Sequence, residues 1–319
     1  MKEKIKSFPK ILIFVITFIL IIILGNGVLA KADVQSGINP DINVIHTKGN
    51  NIPQNVQHKS AIITGYAFYA KALHMDWNYD VYLPAGYNPK SNKKYPVIYL
   101  LNGLYGNQKD MWIYMNTERM LDQVRQKTGQ PVIAVFVDGF NSYYINSKHG
   151  LQMQTALIHN LLPQVEKNYQ VSKKASQTAI GGLSMGGYGA SRLALKYPNK
   201  FSKVLAISPG IRYHQRKTDT PLKMNAYNNG HKRYSQKVYK KTFPTKYITK
   251  KSKKKVKFYV ESTNSDTTVP IKDVRHFVSD LKKKGVSTNF VEDHGDNHNW
   301  AYWKKAFPKA YNWVINSFK

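Results

Sequence analysis

The chain has 319 residues, no cysteine, 13% aromatic residues and a formal net charge of +30. Lack of cysteine excludes disulfide staples, thiolate metal centres, haem attachment and a cysteine nucleophile. So basic a chain attracts polyanions, but its lysines are scattered and no nucleic-acid-binding motif is present, so nucleic acid is not an expected partner.

Lys2, Lys4, Lys6 and Lys10 precede an apolar run from Ile11 to Leu24, interrupted only by Thr17, and Ala30-Lys31-Ala32 follows. A positive start, a short apolar stretch and small residues in that order predict an export signal over 1–32, cleaved after Ala32. The run has 14 residues, short of the roughly 20 that span a bilayer. The alternative is an uncleaved N-terminal anchor, since Gly25 to Leu29 extends the run mildly. Five lysines and one glutamate belong to the leader, so the remaining 287 residues carry +26. For an exported protein, anionic cell-wall polymers or lipid headgroups are the expected charge partners, with secretion and retention at the wall. Residues 33–60 are polar and rich in Asn, Gln and Gly, which predicts a linker or loosely attached segment ahead of a catalytic domain over 61–319.

From Ala61 the pattern predicts alternating strands and helices. Strands are expected at Ala61 to Ala70, Asn78 to Leu83, Pro96 to Leu101, Pro131 to Val137, Thr178 to Leu183, Val204 to Ser208, Lys257 to Glu261 and Thr288 to Glu292. Helices are expected at Met111 to Arg125, Leu151 to Tyr169, from the residues after Ser184 to Lys196, at Pro270 to Lys284 and at Trp300 to Ser317. Continuous apolar strands separated by helices predict an α/β fold with a mostly parallel sheet covered on both faces. The stretch 211–255 breaks the alternation with Lys, Arg, Tyr and Asn. It reads either as a solvated basic excursion or as a lid over the site. Tyr213, Tyr227, Tyr234 and Tyr239 within it are candidates for lining an acyl or aryl pocket, or for surface packing.

Chemistry concentrates at Gly182-Leu183-Ser184-Met185-Gly186, a Gly-x-Ser-x-Gly pattern between a predicted strand and a predicted helix. A sharp strand-to-helix turn holds a serine hydroxyl exposed, and small neighbours are required for the turn to close. Ser184 is therefore the candidate nucleophile. Such a serine needs a histidine base, an acid to orient it, and backbone donors for the oxyanion. The chain order Ser, acid, His puts the base in Asp293-His294-Gly295-Asp296-Asn297-His298, where His298, directly before the last helix, is preferred over His294. The acid is expected in the loop after the Lys257 strand: Asp266 first, Glu261 second, Asp273 third. Reading the two late histidines as metal ligands lacks support from a His-Glu-x-x-His pattern, so neither metal nor cofactor is expected. The oxyanion donors are expected to be the N–H groups of Met185 and of Leu104, the latter in Asn102-Gly103-Leu104.

These residues and their surroundings resemble the esterase D-like family of α/β hydrolases, which includes S-formylglutathione hydrolases, feruloyl esterases and secreted mycolyl-transferring antigens. The resemblance runs from about Asn78 onward. It rests on Tyr82-Leu83-Pro84-Ala85-Gly86-Tyr87, on Leu100-Leu101-Asn102-Gly103, on Gly181-Gly182-Leu183-Ser184-Met185-Gly186-Gly187-Tyr188-Gly189, and on His298-Asn299-Trp300. It implies an α/β-hydrolase fold and hydrolysis of short acyl or aryl esters by a Ser184, His298 and Asp266 triad without a cofactor. Two departures stand out: many members carry His-Gly where this chain has Asn102-Gly103, and a glycine often seen before the acid is missing. Acyl transfer to a sugar or wall-polymer hydroxyl would use the same residues. A non-catalytic wall-binding protein on a hydrolase scaffold is the rival from another class.

Overall fold

A computed structural model describes residues 42–47 and 56–318, and every structural statement below concerns those residues. The leader expectation, and the polar segment apart from 42–47 and 56–60, lie outside them.

The described elements in chain order are β1 (Val44–His46), β2 (Ala61–Ala70), β3 (Met75–Leu83), β4 (Val97–Leu101), α1 (Asp110–Ile113), α2 (Thr117–Thr128), β5 (Ile133–Val137), α3 (Met153–Ala156), α4 (Leu162–Asn168), β6 (Thr178–Leu183), α5 (Met185–Lys196), β7 (Lys203–Ile207), α6 (Gln236–Thr242), α7 (Lys250–Lys255), β8 (Lys257–Thr263), α8 (Ile271–Lys283), β9 (Ser287–Asp293) and α9 (Trp300–Asn316). The strands form one nine-stranded sheet in the order β1-β2-β3-β5-β4-β6-β7-β8-β9. β2 and β3 are antiparallel, as are β3 and β5, while β5, β4, β6, β7, β8 and β9 run parallel.

The four central strands β5, β4, β6 and β7 are buried along their whole length. Their alternate residues feed two separate cores, which is why they read as unbroken apolar runs rather than as alternating ones. Val97, Tyr99 and Leu101 of β4 pack on one face with Tyr188, Leu193 and Phe277. Ile98 and Leu100 pack on the other with Trp112, Leu121, Tyr302 and Phe307. β4 lies between β5 and β6, so the chain winds one way from β4 to β5 and the other way after β6. A crevice opens at such a reversal, at the carboxyl ends of the strands.

The fold differs from the sequence reading in local detail. Val44–His46, inside the segment read as a linker, pairs in parallel with β2 and forms the sheet edge; Val56 bridges Tyr87. The helix expected over 111–125 is two helices, broken where Asn116 takes a left-handed conformation at φ 53°. The helix expected over 151–169 widens into a π turn at Leu157–Leu161. Pro163 explains this, because it has no N–H to give and its ring crowds the carbonyl four residues back. In the 211–255 insertion, Tyr227 and Tyr239 are core residues. They cluster with Tyr143 and Tyr188, with Tyr227 and Tyr239 at a ring separation of 5.1 Å. Tyr213 and Tyr234 pack partly buried against the same core.

Candidate active site

Ser184 is the joint between β6 and α5, with φ 53° and ψ −117°. A non-glycine residue held there stores about 1–3 kcal/mol and persists only where its surroundings enforce it. Three backbone hydrogen bonds do so: Ser184 N–H donates to the Ile207 carbonyl (3.0 Å), and the Ser184 carbonyl accepts from Gly210 (2.8 Å) and Tyr188 (3.1 Å). The flanking glycines are required by space. A Cβ on Gly182 would stand 2.4 Å from the Leu101 carbonyl oxygen, and one on Gly186 only 2.1 Å from it.

His298 reaches this serine from the far side of the crevice. Asn299 caps α9, its side chain accepting from Tyr302 N–H at 3.0 Å, which fixes where the preceding residue leaves the loop. The imidazole stands edge-on to Trp303 at 5.1 Å, and the Trp303 indole N–H is anchored on Ser208 Oγ at 3.2 Å. His298 Nε2 lies 2.8 Å from Ser184 Oγ, and Nδ1 lies 2.7 Å from Asp266 Oδ2. A carboxylate accepts, so Nδ1 donates to it, which leaves the Nε2 lone pair facing the serine hydroxyl.

The Asp266 side chain is fully buried. Its second oxygen accepts from the backbone N–H groups of Thr268 (2.8 Å) and Val269 (2.7 Å). The acid loop is tied to the histidine loop by Thr267 N–H donating to Asn297 Oδ1 at 3.1 Å and by Thr263 Oγ1 donating to the Asp296 carbonyl at 3.0 Å.

The other candidates lie elsewhere. Strand β8 runs on through Glu261 to Thr263, and Glu261 is buried against Lys309 and the Tyr259 hydroxyl. Burial pushes its carboxyl up to about 7. Asp273 occupies the first turn of α8, and exposed His294 pairs with the Asn264 side chain at 2.7 Å.

The loop after β4 runs beside the serine: a Cβ on Gly103 would stand 3.7 Å from the Ser184 Cβ. The Leu104 N–H has no protein acceptor among the described residues. Met185 opens α5, so its N–H is one that the helix itself leaves unused. Sequence reasoning left the role of Asn102 open, and the structure supplies it. Asn102 is buried; its Oδ1 accepts from Gly139 N–H (2.9 Å) and the Tyr144 hydroxyl (2.6 Å), and its Nδ2 donates to the Gly103 carbonyl (2.9 Å). A polar residue directly after a fully buried strand must find partners, and that was the signal available in the sequence.

A cavity of about 250 Å³ opens at the serine, with Leu104, Leu183, Trp300 and Trp303 as apolar walls and Thr268 at its polar side. Asp110 also lines it, a residue that sequence reasoning did not single out. Burial pushes the Asp110 carboxyl up to about 6; the Asn107 N–H opposes the rise and the nearby Asp138 carboxyl adds to it. A hydroxyl held against an imidazole, next to unused N–H groups and an apolar cavity, suits attack on a carbonyl carbon. No group of three or more acidic or histidine side chains suited to a metal occurs among the described residues.

Comparison with known proteins adds the following. The family model described as "Putative esterase" matches residues 70–314. An acetyl esterase from Caldicellulosiruptor saccharolyticus is 26% identical over 273 residues, covering 77% of this chain and 96% of that protein. An esterase from Mycobacterium tuberculosis is 32% identical over 142 residues, which is 43% of this chain and 30% of that one. Among solved structures, a ferulic acid esterase superposes with a TM-score of 0.71 at 23% identity, over 82% of this chain and 100% of that one. A fluorophosphonate-binding serine hydrolase from Staphylococcus aureus superposes with a TM-score of 0.66 at 21% identity, over 81% and 99%.

Proposed function

We propose, from the premise that this chain belongs to the esterase family and is an ester hydrolase of the α/β-hydrolase fold, that it cleaves carboxylic esters through Ser184, His298 and Asp266. Ser184 Oγ attacks the acyl carbon while its proton passes to His298 Nε2. The imidazolium that forms is stabilised by the Asp266 carboxylate across Nδ1. The carbonyl oxygen, now negative, is met by the N–H groups of Leu104 and Met185. Collapse expels the alcohol, which takes the proton back from Nε2 and leaves an acyl-serine. Water then repeats the sequence, giving up one proton to His298 and releasing the acid and the free serine.

The observation that carries this reading is the continuous chain of hydrogen bonds from Ser184 Oγ through both ring nitrogens to Asp266, 2.8 Å and 2.7 Å long. Its test is labelling with a fluorophosphonate probe beside Ser184→Ala and His298→Ala. Labelling of the wild type that both substitutions abolish is expected, and a folded wild type that stays unlabelled would overturn the assignment.

The substrate class is short acyl or single-ring aryl esters. An engineered cavity of about 150 Å³ holds benzene, so a mostly apolar one of about 250 Å³ suits an acetyl, short fatty acyl or aryl group and is cramped for a long chain. A p-nitrophenyl ester series should accordingly peak in kcat/KM at short acyl lengths; a maximum at long chains would reject that class. Export with retention at a polyanionic wall completes the reading, supported by the order of charge, apolar run and small residues over 1–32. An extracellular form beginning at Asp33 is its expected signature in mass spectrometry.

A further inference from the structure

A second cavity, of about 450 Å³, lies against the far half of α5 and is lined by Lys148, Arg192, Lys196 and Lys241, together with Asn228 and Asn229. Arg192 is eight residues along α5 from Ser184, or about 12 Å at 1.5 Å per residue. None of the residues that wall the ester-cleaving cavity lines this one.

Arg192 is only 3% exposed. Its hydrogen bonds go to neutral acceptors: the Tyr144 carbonyl (3.5 Å), Gln154 Oε1 (2.8 Å) and the Tyr247 hydroxyl (3.2 Å), with the Tyr247 ring 4.8 Å away. Its Nε is buried with no acceptor. No carboxylate pairs with Arg192, Lys148, Lys196 or Lys241 among the described residues. The other buried arginine shows what is missing. Arg212, 4% exposed, stands 3.4 Å from the buried carboxylate of Asp219. An arginine cannot shed its charge to escape burial, and buried charges are normally paired. Lys196 shows the surplus as well: desolvation, and then the Arg192 charge, hold its ammonium below the usual lysine range.

We propose that this cavity is a binding site for a phosphate group, distinct from the site of ester cleavage. A single carboxylate would offset one of four cations, whereas a phosphate brings up to two charges and several acceptor oxygens to a guanidinium and ammonium groups. Asn228 and Asn229 can add neutral donors. The Oδ1 of Asn228 accepts from Gly230 N–H, and that of Asn229 from His231 and Lys232, so both Nδ2 groups are left to donate.

The test is calorimetric titration of the whole chain with inorganic phosphate, against acetate and chloride at matched ionic strength, because so basic a protein also gathers anions diffusely. Saturable binding of one phosphate per chain is expected, weakened at least about tenfold in Lys148→Ala/Lys241→Ala, a loss of two charge-assisted contacts. That double variant should melt no lower than wild type without phosphate, since it removes unpaired like charges. A control of equal charge change, Lys282→Ala/Lys283→Ala, should bind as wild type. Phosphate behaving like acetate, an undiminished double variant, or a control weakened equally would overturn the proposal. Two further arms identify the source. Displacement by sn-glycerol 3-phosphate without binding to phosphatidylglycerol vesicles identifies a soluble or polymer-borne ester. Vesicle binding lost in the double variant and kept in the control identifies a lipid headgroup. Binding of inorganic phosphate alone identifies the free anion.

Discussion

Helix α5 serves two regions, one at each end, and they treat charge in opposite ways. At its start, Ser184 meets His298, whose potential positive charge is matched by Asp266, and Asp266 is matched again by two backbone N–H groups. At its far half, Arg192 and Lys196 face neutral oxygens and other cations. The first arrangement is matched within the chain, as the proposed proton transfer requires. The second is balanced only when something negative arrives. One helix thus separates the proposed site of chemistry from the proposed anion site, and the difference lies in whether each charge has a partner within the chain.

The largest expected effects strip the completed end. Ser184→Ala and His298→Ala should each lower kcat by about 10⁴- to 10⁶-fold, with nearly equal values because the two act as a unit. Melting temperature should hardly move. Steady-state kinetics on p-nitrophenyl acetate check this, and a residual activity within tenfold of wild type would remove the contrast between the two ends. Asp266→Asn comes next, at about 10³- to 10⁴-fold in kcat near pH 7. An amide cannot neutralise the imidazolium and can set the wrong tautomer. A loss below tenfold would mean that the matched charge at this end is not what drives proton transfer.

What the sequence made legible follows the same division. The serine turn is short-range as a pattern, since Gly182, Ser184 and Gly186 fall within five residues, although what crowds the two glycines is the Leu101 carbonyl of the neighbouring strand β4. His298 and Asp266 followed from chain order and from loops that end parallel strands. Long apolar strands announced themselves because both faces are buried. The Arg192 cavity had no such pattern. Its cations are Lys148, Arg192, Lys196 and Lys241, each unremarkable among 48 lysines and arginines. Local irregularities escaped for another reason. The break at Asn116 and the π turn before Pro163 change backbone geometry without changing apolar periodicity. The edge strand at Val44–His46 is too short for a period to register. Asp266 rather than Glu261 meets His298 because β8 runs two residues further than its apolar pattern, which keeps Glu261 in the sheet beside Lys309.

Asn102 sharpens the comparison from within the completed end, as a positioning residue. Asn102→Ala removes the acceptor of Gly139 N–H and the Tyr144 hydroxyl and the donor to the Gly103 carbonyl. The loop bearing the Leu104 N–H should loosen, lowering kcat about 10- to 100-fold while KM stays within about threefold, because the oxyanion exists only in the transition state. Asn102→Asp keeps the acceptor oxygens and should recover part of the loss. Equal effects on kcat and KM would instead assign Asn102 to substrate binding.

The smallest expected effect concerns Asp110, which lines the cavity beside the serine and has no ion-pair partner among the described residues. Its folded carboxyl lies at about 6, against about 3.9 in an unfolded chain, so the folded cavity favours the neutral form. Below about pH 4 both states are protonated and the group costs nothing. Between about pH 4 and 6 the unfolded chain ionises first, and stability falls as pH rises; above 6 the full penalty is present. Asp110→Asn stays neutral throughout and keeps an acceptor for the Asn107 N–H, which Asp110 Oδ2 now meets at 3.2 Å. Its melting temperature should equal that of wild type near pH 4 and exceed it by about 2–4 °C at pH 7. The same ionisation places a negative charge in the cavity wall, so KM for an ester with an anionic acyl group should rise through pH 6 in wild type and stay flat in the variant. Parallel melting curves across that range would show that Asp110 is as well balanced as Asp266, and the division between matched and unmatched charge would then separate the two ends of α5 without exception.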